Sequence, residues 1–103
     1  MANGLLGFAD LSANTNTTLY TVTSGLTGSF SVNFTNRNEG PITVSLGICA
    51  SSTPANGEYL LYKVEIDGNG SLERSGLVAQ GGKLVVVNAS SVGVSAQVYG
   101  YEA

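Results

Sequence analysis

Apolar and polar residues alternate with a period of two along most of the chain, and this pattern constrains the fold more than any other feature. In SFSVNFTN, the apolar residues Phe30, Val32 and Phe34 are separated by serine, asparagine and threonine, and ITVSLGIC (42–49) repeats the pattern. Successive side chains of a strand point to opposite faces, so the alternation predicts strands that bury one face. No window of eleven residues has the 3.6-residue period of a helix. We therefore expect an all-β protein.

Residues that favour turns interrupt the alternating runs every eight to twelve residues. Examples are RNEGP (37–41), SSTPANG (51–57) and DGNG (67–70), of which the last can supply the positive φ angles of a tight hairpin turn. The predicted strands cover residues 17–23, 29–36, 42–49, 58–66, 71–78, 83–89 and 92–103. Such spacing is typical of sandwiches and barrels, and we expect an antiparallel, jelly-roll-like β-sandwich of seven to eight strands.

The first sixteen residues do not follow the alternating pattern. They contain two-thirds polar or small residues and no clean period, but four apolar side chains stand among them: Leu5, Leu6, Phe8 and Leu11. Terminal segments of this kind are poorly ordered unless they dock on something. We predict an extended N-terminal arm (1–16) that uses these four residues to contact a neighbouring molecule, followed by one sandwich domain (17–103).

Charged side chains are sparse, with seven acidic and four basic residues giving a net charge of −3. The four basic residues are scattered and form no patch, so we expect neither a nucleic-acid partner nor attachment to a membrane surface. The longest apolar runs have four or five residues, far fewer than a membrane span needs. The N-terminus lacks the basic region that begins a signal peptide, so we expect assembly in the cytoplasm.

No set of residues predicts catalysis. The chain has no histidine, which excludes Ser–His triads, and its single cysteine, Cys49, ends a strand-like run in which we interpret it as a small buried hydrophobe. Asp67, Asn69 and Ser71 match part of a calcium loop, but Leu72 stands where that loop requires glycine. We expect no enzyme activity, no cofactor and no metal site.

The run YLLYKVEI (59–66) is unusual because both of its faces carry apolar bulk. The face that strict alternation assigns to the core carries Leu60, Tyr62, Val64 and Ile66. The opposite face carries Tyr59 and Leu61, followed by Lys63 and Glu65. We interpret Tyr62 as a core residue and the opposite face as a contact surface.

Five tyrosines give the chain its main potential for recognition. Tyrosine combines a large contact area with a hydroxyl group and is enriched at protein interfaces. Aromatic clusters on β-sheets can also stack against sugars, and tyrosine can simply fill a core. We predict an interface role for Tyr59, Leu61, Tyr99 and Tyr101, and a glycan ligand or a place in the core is the alternative.

Three segments together resemble a known family: NTTLYTV, EYLLYKVEIDGNGSLERSGLVAQGGKLVVV and VSAQVYGYE. Their order and spacing, over about residues 16–102, are similar to those of small β-sandwich virion proteins of tailed phages, in particular cyanophage-type capsid cement (decoration) proteins. The resemblance implies a virion structural protein on the outer surface of the capsid. Such a protein binds across major capsid protein subunits, stabilises the shell and associates with itself, which we expect to give a homotrimer. The alternative is a tail or fibre-associated adhesin module that binds glycans of the host surface.

Overall fold

The computed structural model describes residues 3–103, and within this range the chain forms eight strands and one 3-10 helix. Met1 and Ala2, which belong to the predicted arm, lie outside the described residues. The strands are β1 (Asn3–Leu11), β2 (Thr17–Thr21), β3 (Thr27–Asn36), β4 (Ile42–Cys49), β5 (Tyr59–Ile66), β6 (Ser71–Gln80), β7 (Leu84–Ala89) and β8 (Val94–Glu102). The 3-10 helix, Asn56–Glu58, lies between β4 and β5.

The strands of residues 3–103 form two antiparallel four-stranded sheets that pack face to face. Sheet A has the strand order β1-β8-β3-β6, and sheet B has the order β2-β7-β4-β5. The chain folds back on itself like one long hairpin, which pairs β1 with β8, β2 with β7, β3 with β6 and β4 with β5. Two further pairs, β3–β8 and β4–β7, link these strands into two sheets. This winding is that of a jelly roll, so the predicted fold class is confirmed.

The core lies between the sheets and is built by the alternating residues that the sequence predicts. In β3 the residues Phe30, Val32 and Phe34 are buried, while the serines and asparagine between them are only partly covered. Strands β4, β7 and β8 contribute further fully buried core residues, among them Val44, Leu46, Val85, Val87, Val94 and Val98. Burial of aliphatic and aromatic side chains of this size provides the main favourable term for folding.

Strand β1 replaces most of the predicted arm. Residues Asn3–Leu11 are extended, as expected, but they pair with β8 along the edge of sheet A instead of projecting from the domain. Leu11 is 2% exposed and belongs to the core, and Leu6 packs against it. The sequence pattern does not indicate this strand because a register shift between Leu5 and Gly7 breaks its period of two.

The turn DGNG forms, but it does not close a hairpin. Asn69 has a φ of 59°, and the Gly70 N–H donates to the Asp67 carbonyl at 2.9 Å. Strands β5 and β6 on its two sides belong to different sheets, so the segment crosses from one sheet to the other. The buried Asn36 side chain holds this crossing in place, because its Nδ2 donates to the carbonyls of Ile66 and Asp67 at 3.1 Å each.

Gly7 lies where β1 passes directly against the backbone of β2 in sheet B. A Cβ atom at this position would lie 2.0 Å from the Leu19 carbonyl oxygen, which is backbone and cannot rotate away. The docked position of β1 therefore requires glycine here.

We expect Gly7→Ala to lower the free energy of unfolding by roughly 1–3 kcal/mol, because the added methyl group forces β1 and β2 apart. Gly57→Ala is the control, since a Cβ there would have no neighbour within 4 Å. Urea denaturation of both variants makes the comparison. Equal stability of the two variants would mean that residues 3–11 do not dock in the native protein.

Candidate interaction surfaces

Five large apolar or aromatic side chains lie on the outer face of sheet A, away from the core. This apolar patch consists of Leu5, Phe8, Val78, Tyr99 and Tyr101. Phe8 is 71% exposed, Val78 62% and Tyr101 55%. Four of these residues, all but Val78, were predicted as interface residues from the sequence, and the fold brings the five together from strands β1, β6 and β8.

Strand register explains how the patch is assembled. Paired residues of an antiparallel sheet share a face. Leu5 pairs with Tyr99, and Ser29 of β3 pairs with both Tyr101 and Val78. Tyr99 and Tyr101 point outward because Val98 of the same strand points into the core, as the sequence predicts.

Tyr99 is fixed in place by a hydrogen bond across strand β3. Its hydroxyl donates to the Glu73 carboxylate of β6. This hydrogen bond, with smaller effects from burial and charge, raises the pKa of Tyr99. The hydrogen bond restricts the side chain of Tyr99, so less side-chain entropy is lost when a partner covers it.

The residues around the patch are polar but mostly uncharged. Ser29, Ser31 and Asn33 of β3 and Gln97 of β8 share this face. Removing an uncharged hydroxyl or amide group from water costs less free energy than removing a charged group. The face is therefore suited to cover by another protein surface.

The end of β8 that carries the tyrosines is anchored by a buried carboxylate. Glu102 is 5% exposed and accepts hydrogen bonds from the Tyr20 hydroxyl and from the Thr23 N–H and hydroxyl, the latter two at 3.0 Å each. Tyr20 lies on β2 of sheet B, so the contact joins the sheets. Burial, helped by Glu102, raises the pKa of Tyr20 strongly.

We expect Tyr20→Phe to lower the free energy of unfolding at neutral pH by about 1–2 kcal/mol, because the buried carboxylate loses one donor. Because the pKa of Tyr20 is higher in the folded state, folding favours its neutral phenol. The resulting contribution to the free energy of unfolding is complete below the tyrosine pKa of the unfolded chain, about 10, and is lost as the pH rises further. The stability of Tyr20→Phe should therefore fall less steeply above pH ~10 than that of the native protein. Urea denaturation over this range measures both effects.

Tyr62→Phe is the control for this experiment, because Tyr62 is 59% exposed and its hydroxyl should contribute less than about 0.5 kcal/mol. A Tyr20→Phe variant as stable as the control would show that the contact with Glu102 does not stabilise the sandwich.

Three predicted interface residues face the core instead. Leu6 and Leu61 pack against the core cluster, and Leu11 belongs to it. These side chains are used within the domain and cannot anchor a partner in this conformation.

The two faces of β5 differ from the prediction because the strand contains a bulge. Leu46 pairs with Leu61 and Val44 with Val64, so two residues, Tyr62 and Lys63, stand opposite one. Leu61 and Ile66 therefore both face inward, whereas strict alternation would place them on opposite faces. Tyr62, interpreted from the sequence as a core residue, is exposed.

The bulge creates a groove on the outer face of sheet B. The Tyr59 and Tyr62 rings meet edge to face, with centroids 4.9 Å apart and planes at 72°. The Lys63 ammonium lies 5.3 Å from the centroid of the Tyr62 ring. The groove has a volume of about 210 Å³ and is lined by Asn14, Thr43, Ser45, Tyr59, Tyr62, Lys63, Asn88 and Ser90.

Sequence reasoning missed Val78 on sheet A and the outward position of Tyr62 on sheet B. The spacing of inward residues reflects both bulges, once the fold shows which residues face inward. Leu72 and Leu77 of β6 both pack toward the core although five positions separate them, which requires a bulge, and Gly76 with φ 72° lies within it.

Cys49 is fully buried, as predicted, and lies beside Glu58. Burial is the main cause that raises the pKa of the Cys49 thiol, and the nearby carboxylate adds to it. Backbone N–H groups of Ala55 and Ala50 donate to the Glu58 carboxylate at 2.9 and 3.0 Å and lower its pKa. These contacts hold the loop between β4 and β5 on the sheet.

Among residues 3–103, no three His, Cys, Asp or Glu side chains come together in a way that could hold a metal ion. The same residues include no helix of the length and apolar character that crossing a membrane requires. Comparisons with protein-family models, curated proteins and solved structures gave no match.

Proposed function

We propose that the protein is a virion structural protein that cements a phage capsid from its outer surface. The apolar patch of sheet A is the observation that carries this proposal. It presents Leu5, Phe8, Val78, Tyr99 and Tyr101 together on one sheet face, where Glu73 is a charged neighbour and most of the other neighbours are uncharged polar residues. Buried aromatic anchors of this kind supply most of the binding free energy in protein interfaces.

The proposed partner is the major capsid protein, and the proposed mechanism is mechanical. A protein that binds only the assembled lattice, across neighbouring subunits, stabilises that lattice by mass action. No reactive group is needed, which agrees with a function without enzyme activity. The resemblance to cyanophage-type cement proteins points to the same role.

Self-association as a homotrimer is part of the proposal. Three linked copies would place three apolar patches against the shell at once, and each further contact would form at high effective concentration. A modest affinity of each patch would then suffice for stable attachment. The mass of the purified protein in solution tests the trimer directly.

We expect the double variant Phe8→Ser/Tyr101→Ser to bind capsid shells about 10- to 100-fold more weakly, because it removes two anchors from the patch. Both side chains are more than half exposed, so the variant should keep the native fold. Co-sedimentation with undecorated shells assembled from the major capsid protein of the same virus measures the binding.

Tyr62→Ser is the matched control, since Tyr62 is similarly exposed but lies on the opposite sheet. Its attachment to shells should equal that of the native protein. Full decoration of shells by the double variant would contradict the proposed use of the patch, and failure of the native protein to sediment with shells would contradict the cement function itself.

A further inference from the structure

We propose that the groove on the outer face of sheet B is a binding site for a saccharide ring. The groove is separate from the apolar patch, and the proposal does not depend on the capsid function. It rests on the aromatic pair, the polar floor, the size of the groove and the bulge that forms it.

The aromatic pair offers the surface that sugars bind. A pyranose has one face of C–H groups, which is apolar and carries slight positive charge. The face of a tyrosine ring carries the negative part of its quadrupole, so the two faces attract each other. Because the Tyr59 and Tyr62 planes stand at 72°, one ring can stack on the sugar while the edge of the other limits its position.

The floor of the groove supplies matching hydrogen-bonding groups. The Ser45 hydroxyl accepts the Lys63 N–H at 3.0 Å, and the Ser90 hydroxyl accepts the Thr43 N–H at 2.9 Å. Each of these bonds orients an O–H group that can donate to a ligand. With the side-chain amide of Asn88, the floor both donates and accepts, as the hydroxyl groups of a sugar require.

The size and charge of the groove suit a single sugar ring. Its volume of about 210 Å³ is below the ~300–1,000 Å³ of sites for drug-sized molecules and is enough for one ring with its substituents. Lys63 is the only charged residue among the eight that line it. A nucleotide or a metal ion would need more charged groups than the groove provides.

The bulge in β5 has a strained backbone and positions the side chains that line the groove. Lys63 has a φ of 51°, in the left-handed region that non-glycine residues rarely adopt. Bulges often re-aim side chains near functional sites. Here the bulge turns Tyr62 out of the core face and sets it beside Tyr59, while Lys63 lies over its ring.

Titration of the full chain with glucose, galactose, N-acetylglucosamine and glucuronic acid, followed by ¹H–¹⁵N NMR, tests the proposal. We expect at least one of these sugars to shift the backbone amide signals of Ser45, Lys63 and Asn88 in a saturable way. Tyr62→Ala should weaken this binding about tenfold, the effect of one lost aromatic contact. Tyr101→Ala, at a site of similar exposure on sheet A, should leave it unchanged.

Lys63→Asn identifies the class of sugar, because asparagine tolerates the left-handed conformation but has no charge. If the native protein binds glucuronic acid more tightly than the neutral sugars and Lys63→Asn loses this preference, the site takes an acidic saccharide; if the native protein shows no such preference and both proteins bind a neutral sugar equally, the site takes a neutral one.

Either of two sugar-binding results would overturn the proposal: none of the four sugars shifts these amides, or Tyr62→Ala binds sugar as tightly as the native protein. Loss of attachment to capsid shells in Tyr62→Ala would also overturn it, since the groove would then be a protein contact. The capsid proposal, which depends on Phe8 and Tyr101, would stand or fall separately.

Discussion

The antiparallel pairing of β3 with β8 and of β4 with β7 is the constraint on which the rest of the structure depends. Within residues 3–103, these two central pairs run without a register shift. A slip of one residue in either pair would turn its buried valines and phenylalanines toward water, so burial fixes the register strongly. The same register decides the outer surface: once Val98 is buried, Tyr99 and Tyr101 must face outward.

The edge strands follow a different rule. In the described part of the chain, each of β1, β2, β5 and β6 shows a register shift against its central neighbour. An edge strand has only one partner, so an extra residue can leave the ladder without disturbing a second strand, and bulges also discourage edge-to-edge association. In β5 the extra residue exchanges the two faces of the strand, and this exchange produces the groove.

This difference between central and edge strands also explains what the sequence could predict. The sandwich, its turns and the inward residues of β3, β4 and β8 follow from strict alternation. Tyr99 and Tyr101 of the patch were predicted from the correct assignment of the two faces of their strand. Leu5 and Phe8 were predicted because they are apolar residues in a largely polar segment. Strand β1 and the faces of β5 could not be obtained in the same way, since a bulge breaks the period of two that the reasoning requires. The spacings Leu61–Val64 and Leu72–Leu77 contain the bulges, but such spacings indicate a bulge only when the identity of the inward residues is already known.

The jelly roll separates two surfaces of different chemistry by one layer of core. Sheet A presents apolar and tyrosine side chains among mostly uncharged neighbours, and sheet B presents a small polar groove with an aromatic pair. The sheets pack about 10 Å apart, so the surfaces share no side chain and changes in one should have effects additive with changes in the other. The Tyr20–Glu102 contact joins the sheets at one end and keeps their relative position fixed. A domain of this kind can attach through one face while the other remains open to solvent, and the sparse charge of the chain leaves shape and hydrogen bonding, not long-range electrostatics, to select what each face binds.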